Sequence, residues 1–226
     1  MLSGIIQSNA HDFTLINLNN SMEIDSGGRL HRPDGGFQFI ASPNCDDRPE
    51  GVEITLLVIH NISLPPGEFG GNGIIDFFTN QLNQQAHSYY ATIAGLKVSS
   101  HFLIRRDGEI IQFVPCQRRA WHAGASRWRG QERCNDFSIG IELEGSDTTP
   151  FTDAQYSALA SLTRCICKHY PIADITGHEV ISPKRKTDPG PNFDWQAYAN
   201  LIGNGDNVIN QTNQFSIAVS PITVQN

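Results

Sequence analysis

Two kinds of periodicity run along the middle of this chain. The segment ITLLVIHNIS, residues 54 to 63, is a nearly unbroken apolar run rich in β-branched side chains, which predicts a central strand covered on both faces. FSIGIELE, residues 137 to 144, alternates instead, with Ile139, Ile141 and Leu143 on one face and Gly140, Glu142 and Glu144 on the other. Two further β-runs flank Asp107-Gly108 in SSHFLIRRDGEIIQFVP (99 to 115), a hairpin signal. The pattern turns helical in FTDAQYSALASLTRCICKHYP (151 to 171), where Tyr156, Leu159, Thr163, Ile166 and Tyr170 recur at helical spacing. Thr152 and Gln155 form a capping-box signature, Phe151 and Tyr156 a hydrophobic staple, and Pro171 a stop. Shorter helices are expected in GIIDFFTNQL (73 to 82) and FDWQAYANLIG (193 to 203).

Strands mixed with two or three helices predict an α/β domain, a mixed sheet covered by helices. Residues 1 to 27 and 204 to 226 are polar and rich in Asn, and are expected to be extensions around a domain at 28 to 203. Within the second of these, FSIAVSPITV fits either an edge strand or a loose tail. Residues 64 to 98, rich in Gly, Asn, Gln and Ser, fit a segment able to move over a pocket as a lid.

Composition narrows the partners. The net charge of -7 and the scatter of 16 Lys and Arg exclude a nucleic-acid surface. No apolar run is long enough to span a membrane, and the first twenty residues lack the features of a secretory signal. Five cysteines, an odd number at scattered positions, argue against a disulfide framework and for a reducing cytoplasm. Cys165 and Cys167 point to nearly opposite sides of the predicted long helix and make no metal pair.

Candidate chemistry gathers at three places. His60 ends an apolar strand, where a polar ring either lines a site or caps the sheet through a hydrogen bond. His178 follows the strand-like IADITGH, and Asp188 sits in KTDPGP, where two prolines stiffen the backbone and a glycine turns it. Together they offer a His2Asp ligand set with a vacant fourth position, as a catalytic zinc requires. His11, His31, His87 and His169 lie in polar or helix-terminal contexts and are not expected to be ligands. Alternation cannot choose between Glu142 and Glu144, which share a face.

The stretches LLVIHNISLPPGEFGG, HFLIRRDGEI, RAWHAGASRWRGQERCNDFSIGIELEG and TGHEVISPKRKTDPGPNFDW resemble, in order and without a missing block, the AmpD family of zinc-dependent N-acetylmuramyl-L-alanine amidases. The resemblance implies the fold of phage amidases and peptidoglycan recognition proteins, a mixed central sheet flanked by helices. It implies zinc ligands at His60, His178 and Asp188, a catalytic base at Glu142 and an oxyanion-stabilising cation at Lys186. It implies as partner an anhydro-muropeptide, cut between the muramyl lactyl group and L-Ala during cell-wall recycling, with an influence on β-lactamase induction. Asn61, Lys97, Trp121, His122, Arg133 and Arg185 are candidate substrate contacts. The chain is expected to act as a cytoplasmic monomer without membrane or nucleic-acid partners. The alternatives are an endolysin-type or exported amidase on polymeric wall, and a recognition module without activity.

Overall fold

The computed structural model describes residues 22–32, 37–203 and the backbone of 216–218. In chain order the elements are β1 (Glu23–Ile24), β2 (Leu30–His31), β3 (Gln38–Phe39), β4 (Cys45–Asp47), β5 (Leu56–Ile62), α1 (Gly73–Phe78), α2 (Ser88–Thr92), β6 (Phe102–Ile104) and β7 (Ile110–Gln112). There follow β8 (Arg118–Ala120), β9 (Arg127–Trp128), β10 (Gln131–Glu132), β11 (Ser138–Glu144), α3 (Asp153–His169), β12 (Asp174–Gly177), α4 (His178–Ile181), α5 (Trp195–Gly203) and β13 (Ser216–Ala218).

Seven strands form one mixed sheet in the order β13-β12-β5-β11-β6-β7-β3. Its first five strands run parallel, and β7 pairs antiparallel with β6 through the expected hairpin. Gly108 turns that hairpin at φ +88, a conformation that costs a residue with a Cβ.

The two apolar runs explain the layers. On β5, Leu57 and Ile59 join the cluster formed with α3 and α5, where Leu159, Leu162, Ile166, Tyr198 and Ile202 are buried. Leu56 and Val58 face the other way, onto Ala123, Cys134, Phe137 and Ile181. Both faces of this strand are thus removed from water, worth about 1.5–3 kcal/mol for each large side chain. On β11 the odd positions Ile139, Ile141 and Leu143 enter the α3 cluster, which leaves Ser138, Gly140, Glu142 and Glu144 on the face opposite α3. The capping box of α3 is formed, with the Thr152 side chain accepting from Gln155 N and the Gln155 side chain accepting from Thr152 N.

The ends differ from their composition. The boundary drawn at residue 27 falls inside the β1–β2 ribbon, and Ile24 and Leu30 are buried in the α3 cluster. Two short strands give little periodic signal, but two buried side chains suffice to dock them. At the other end Ser216–Ala218 pairs parallel with β12, the edge-strand alternative for FSIAVSPITV. The segment at 64–98 carries α1 and α2, and its Ile74, Phe78 and Tyr90 pack on Leu103, Ile111 and Phe113. Helix α1 ends at Phe78, short of the Leu82 expected from the pattern.

Candidate metal centre

The site stands at the carboxyl ends of three neighbouring parallel strands, the usual place for a site in a parallel sheet. His60 is on the last stretch of β5, on the face opposite α3. His178 follows β12 directly and opens α4; β12 is hydrogen-bonded to β5. Asp188 lies in the loop after α4, tied down by Glu179 N–H donating to the Asp188 carbonyl at 2.9 Å. Asn61 Nδ2 donates to the Pro189 carbonyl at 3.0 Å and to Asp147 Oδ1 at 2.8 Å, linking β5 to that loop.

The three side chains converge on one point. His60 Nδ1 and His178 Nδ1 are 3.0 Å apart, and Asp188 Oδ2 is 2.8 Å from the first and 3.0 Å from the second. His178 Nε2 is 3.1 Å from the carbonyl oxygen of Ala123. A carbonyl only accepts, so His178 Nε2 donates, and Nδ1 is the nitrogen whose lone pair is available to a metal. That lone pair faces a carboxylate oxygen at hydrogen-bonding distance, an arrangement that repels unless a proton or cation lies between. Burial, reinforced by the His178 ring and opposed by Asp188, pushes His60 down to about 4 and keeps it neutral. Burial would raise Asp188, but the His178 and His60 rings hold it well below the carboxylate range. Two imidazole nitrogens and a carboxylate oxygen within 4.8 Å of one another form a donor set that could hold a metal.

Glu142 is the direct neighbour of His60 in the β5–β11 ladder. Its carboxyl is buried, and Oε2 has no hydrogen-bond partner. Burial, then the Asp188 charge, raises its pKa well above the ordinary value, against the pull of Lys186. Glu144, two residues on, differs in kind. It accepts from Gly70 N at 2.7 Å and Arg106 N at 3.2 Å, and pairs with Arg105 at 3.2 Å. The structure thus separates two acids that alternation left equivalent: one is fully engaged in the fold and the other keeps a free oxygen next to the ligands. Lys186 is exposed, on the loop between α4 and Asp188, and its charge acts on both His60 and Glu142.

The other candidates are dispersed. His122 is buried behind His60, its Nδ1 2.9 Å from His60 Nε2, so it faces a ligand. Arg185 donates to the carbonyls of Ala123 and Ala125, which fixes its guanidinium to the loop beneath the site. Trp121 Nε1 donates to Asp46, and Arg133 pairs with Asp136 at 3.2 Å. Lys97 is exposed and lines a hollow beside α1 and α2 with Tyr90, Ile93 and Leu96. Asn61 is engaged as described. Of the histidines set aside, His87 caps α2, His169 lies beside Glu23 and His31 is exposed on β2, while His11 falls outside the described residues.

Three supporting residues had no distinct sequence signal. Gly140 leaves room for the His122 ring, since a Cβ there would lie 2.5 Å from His122 Cγ. Gly177 likewise makes room for the Glu179 carboxyl, which burial pushes up to about 7. His101 is fully buried, with its Nδ1 accepting from Gly140 N. Only the alternation of β11, which puts Gly140 on the face of Glu142, could have drawn attention to any of them.

Comparison with known proteins matches residues 50–191 to the family model described as N-acetylmuramoyl-L-alanine amidase. The 1,6-anhydro-N-acetylmuramyl-L-alanine amidase AmpD of Escherichia coli (strain K12) is 57% identical over 169 residues, covering 74% of this chain and 92% of that one. A crystal structure of a Se-Met AmpD derivative superposes with a TM-score of 0.72 at 57% identity, over 73% of this chain and 93% of that one. A complex of the amidase AmiD from E. coli with anhydro-N-acetylmuramic acid-L-Ala-D-gamma-Glu-L-Lys superposes with a TM-score of 0.50 at 30% identity, over 80% of this chain and 65% of that one.

Proposed function

The chain belongs to the N-acetylmuramoyl-L-alanine amidase family, and from that premise we propose that it is a zinc amidase acting on soluble 1,6-anhydro-muropeptides, cutting the amide between the muramyl lactyl group and L-Ala. The AmpD relative of E. coli is named for that linkage, and AmiD was captured with an anhydro-muramyl peptide as substrate. The observation that carries the assignment is the meeting of His60, His178 and Asp188 beside a buried carboxyl with a free oxygen. Such an N2O donor set suits zinc and leaves a position for solvent and substrate.

Zinc, when bound there, supplies Lewis acidity to the scissile carbonyl and lowers the pKa of solvent. Glu142 accepts the proton of the attacking water through its free Oε2 and returns it to the leaving α-amine of L-Ala. Its raised proton affinity, from burial and the Asp188 charge, strengthens it as the acceptor in the first of these steps. Lys186 places a positive charge where the carbonyl oxygen becomes negative. The catalytic unit begins at residue 22, since the β1–β2 ribbon shares the α3 cluster, and takes in the edge strand β13.

The five cysteines are free thiols and fit a reducing cytoplasm, and among the described residues no helix is long and apolar enough to cross a membrane. The test is incubation with purified soluble anhydro-muropeptide and, separately, with intact sacculi, each with and without a chelator. The expected result is release of free peptide from the soluble substrate alone, lost on chelation. Equal or greater release from sacculi would favour an endolysin-type activity, and chelator-resistant release would remove zinc from the chemistry.

A further inference from the structure

Behind His60 a chain of hydrogen bonds has its direction set at one end. Ser138 Oγ lies 2.6 Å from the carbonyl oxygen of Cys134, which can only accept, so the single hydroxyl proton points there. The same Oγ is 3.1 Å from His122 Nε2 and must accept from it. The ring proton of the His122 imidazole is therefore on Nε2, which leaves its Nδ1 as an acceptor. His60 Nε2, 2.9 Å from that Nδ1, therefore donates. A His60 that offers Nδ1 to a metal thus keeps its proton on Nε2, held by His122, with Nδ1 turned toward His178 and Asp188.

We propose that Ser138 and His122 form a relay that fixes the tautomer of His60 and presents its Nδ1 lone pair to the metal, so that His122 is a positioning residue and not a substrate contact. The inference rests on the metal assignment above. The fold builds the relay deliberately into one dipeptide. Asn135 Oδ1 accepts from both His122 N at 3.2 Å and Ala123 N at 2.8 Å. From that fixed backbone, the His122 ring sets His60 and the Ala123 carbonyl sets His178. Gly140 leaves the space in which the His122 ring stands edge-on to His60, at 85° with centroids 5.0 Å apart. Partners behind a metal-bound imidazole orient it and fix its tautomer, and their loss lowers metal affinity about 10- to 100-fold.

The ring tautomers can be read in metal-free wild-type protein from long-range proton–nitrogen NMR correlations at neutral pH. His122 should carry its proton on Nε2 and accept at Nδ1; a His122 protonated on Nδ1 overturns the relay. Zinc affinity, measured by competition with a chelator, should fall about 10- to 100-fold in His122→Leu. It should largely recover in His122→Asn, whose Oδ1 can accept where Nδ1 did. Equal affinities for the Leu and Asn variants, both folded by near-ultraviolet circular dichroism, also overturn it. Wild-type protein that takes up no zinc would instead overturn the metal assignment, and the ring spectra of that same protein would still decide the relay.

Discussion

Glu142 stands directly across from His60 in the parallel ladder of β5 and β11, so the proposed base and a proposed ligand share one rung of the sheet. Parallel strands put opposed side chains on the same face, and no loop intervenes to blur the distance.

That placement makes Glu142 costly to the fold and useful to the reaction. Its folded pKa is raised, so the stability it allows is full below about 4.5 and is lost as pH rises through the raised value. Glu142→Gln cannot ionise. Metal-free Glu142→Gln should therefore unfold at a higher temperature than wild type on the alkaline side, with the difference closing in acid. Its turnover, with zinc bound, should be about 100- to 10,000-fold lower. Thermal melts across pH and muropeptide turnover check the two halves, and an active Gln variant would remove Glu142 from the proton transfers.

Asp188 and Lys186 are two residues apart and should fail differently. Asp188→Ala removes the anionic member of the ligand set, and zinc per chain should drop. Lys186→Ala leaves the three converging atoms in place, so zinc should stay while turnover falls about 100- to 1000-fold, the usual loss for one oxyanion-stabilising donor. Elemental analysis and single-substrate kinetics on both variants separate the roles. Near-normal turnover in Lys186→Ala would make it a solvated loop cation.

Chelation should abolish activity yet spare the fold. None of the three ligands belongs to the hydrophobic clusters on either side of the sheet. The far-ultraviolet spectrum of chelated protein should keep its shape, and collapse of that spectrum would show that the metal is structural.

Acid should weaken the metal-free fold through His60. Its folded pKa, about 4, lies below the ordinary 6.5, so between these values the unfolded chain binds more protons. Stability should therefore fall as pH drops from about 6.5 toward 4. Denaturant midpoints measured across that window, with and without zinc, test it; a flat profile without zinc would mean that His60 is not buried neutral.

The ribbon at the start of the domain should matter to stability. Ile24→Ala removes a side chain buried in the α3 cluster and should cost about 2–4 kcal/mol, read as a shift in the urea midpoint. No shift would return residues 22 to 27 to the extension.

The core of the fold was legible because its strands and helices are long enough to show a period. β5 announced itself as a doubly buried strand, β11 by alternation and α3 by its capping box. The β1–β2 ribbon was not legible, because two-residue strands have no period. At the site, His60 stood out at a strand end, while the choice of Glu142 over Glu144 needed the family resemblance. Its physical reason is the Arg105, Arg106 and Gly70 contacts of Glu144, which join distant parts of the chain. His122 was picked out as lying near the site, but nothing in its sequence context says that the ring turns inward, since that depends on a glycine 18 residues away on β11.

The seven-rung pairing of β5 and β11 also governs which kinds of genetic change this site can survive. Because side chains alternate, one residue inserted between Ser138 and Glu142 would turn the carboxyl into the α3 layer and bring an apolar side chain to the ligands. A single-codon insertion or deletion in this strand is thus expected to abolish function as completely as removal of the acid. Two inserted residues, which restore the facing, would still draw Ser138 away from His122. Length variation among functional descendants of this chain is accordingly expected in the stretch after Glu144 and not within β11.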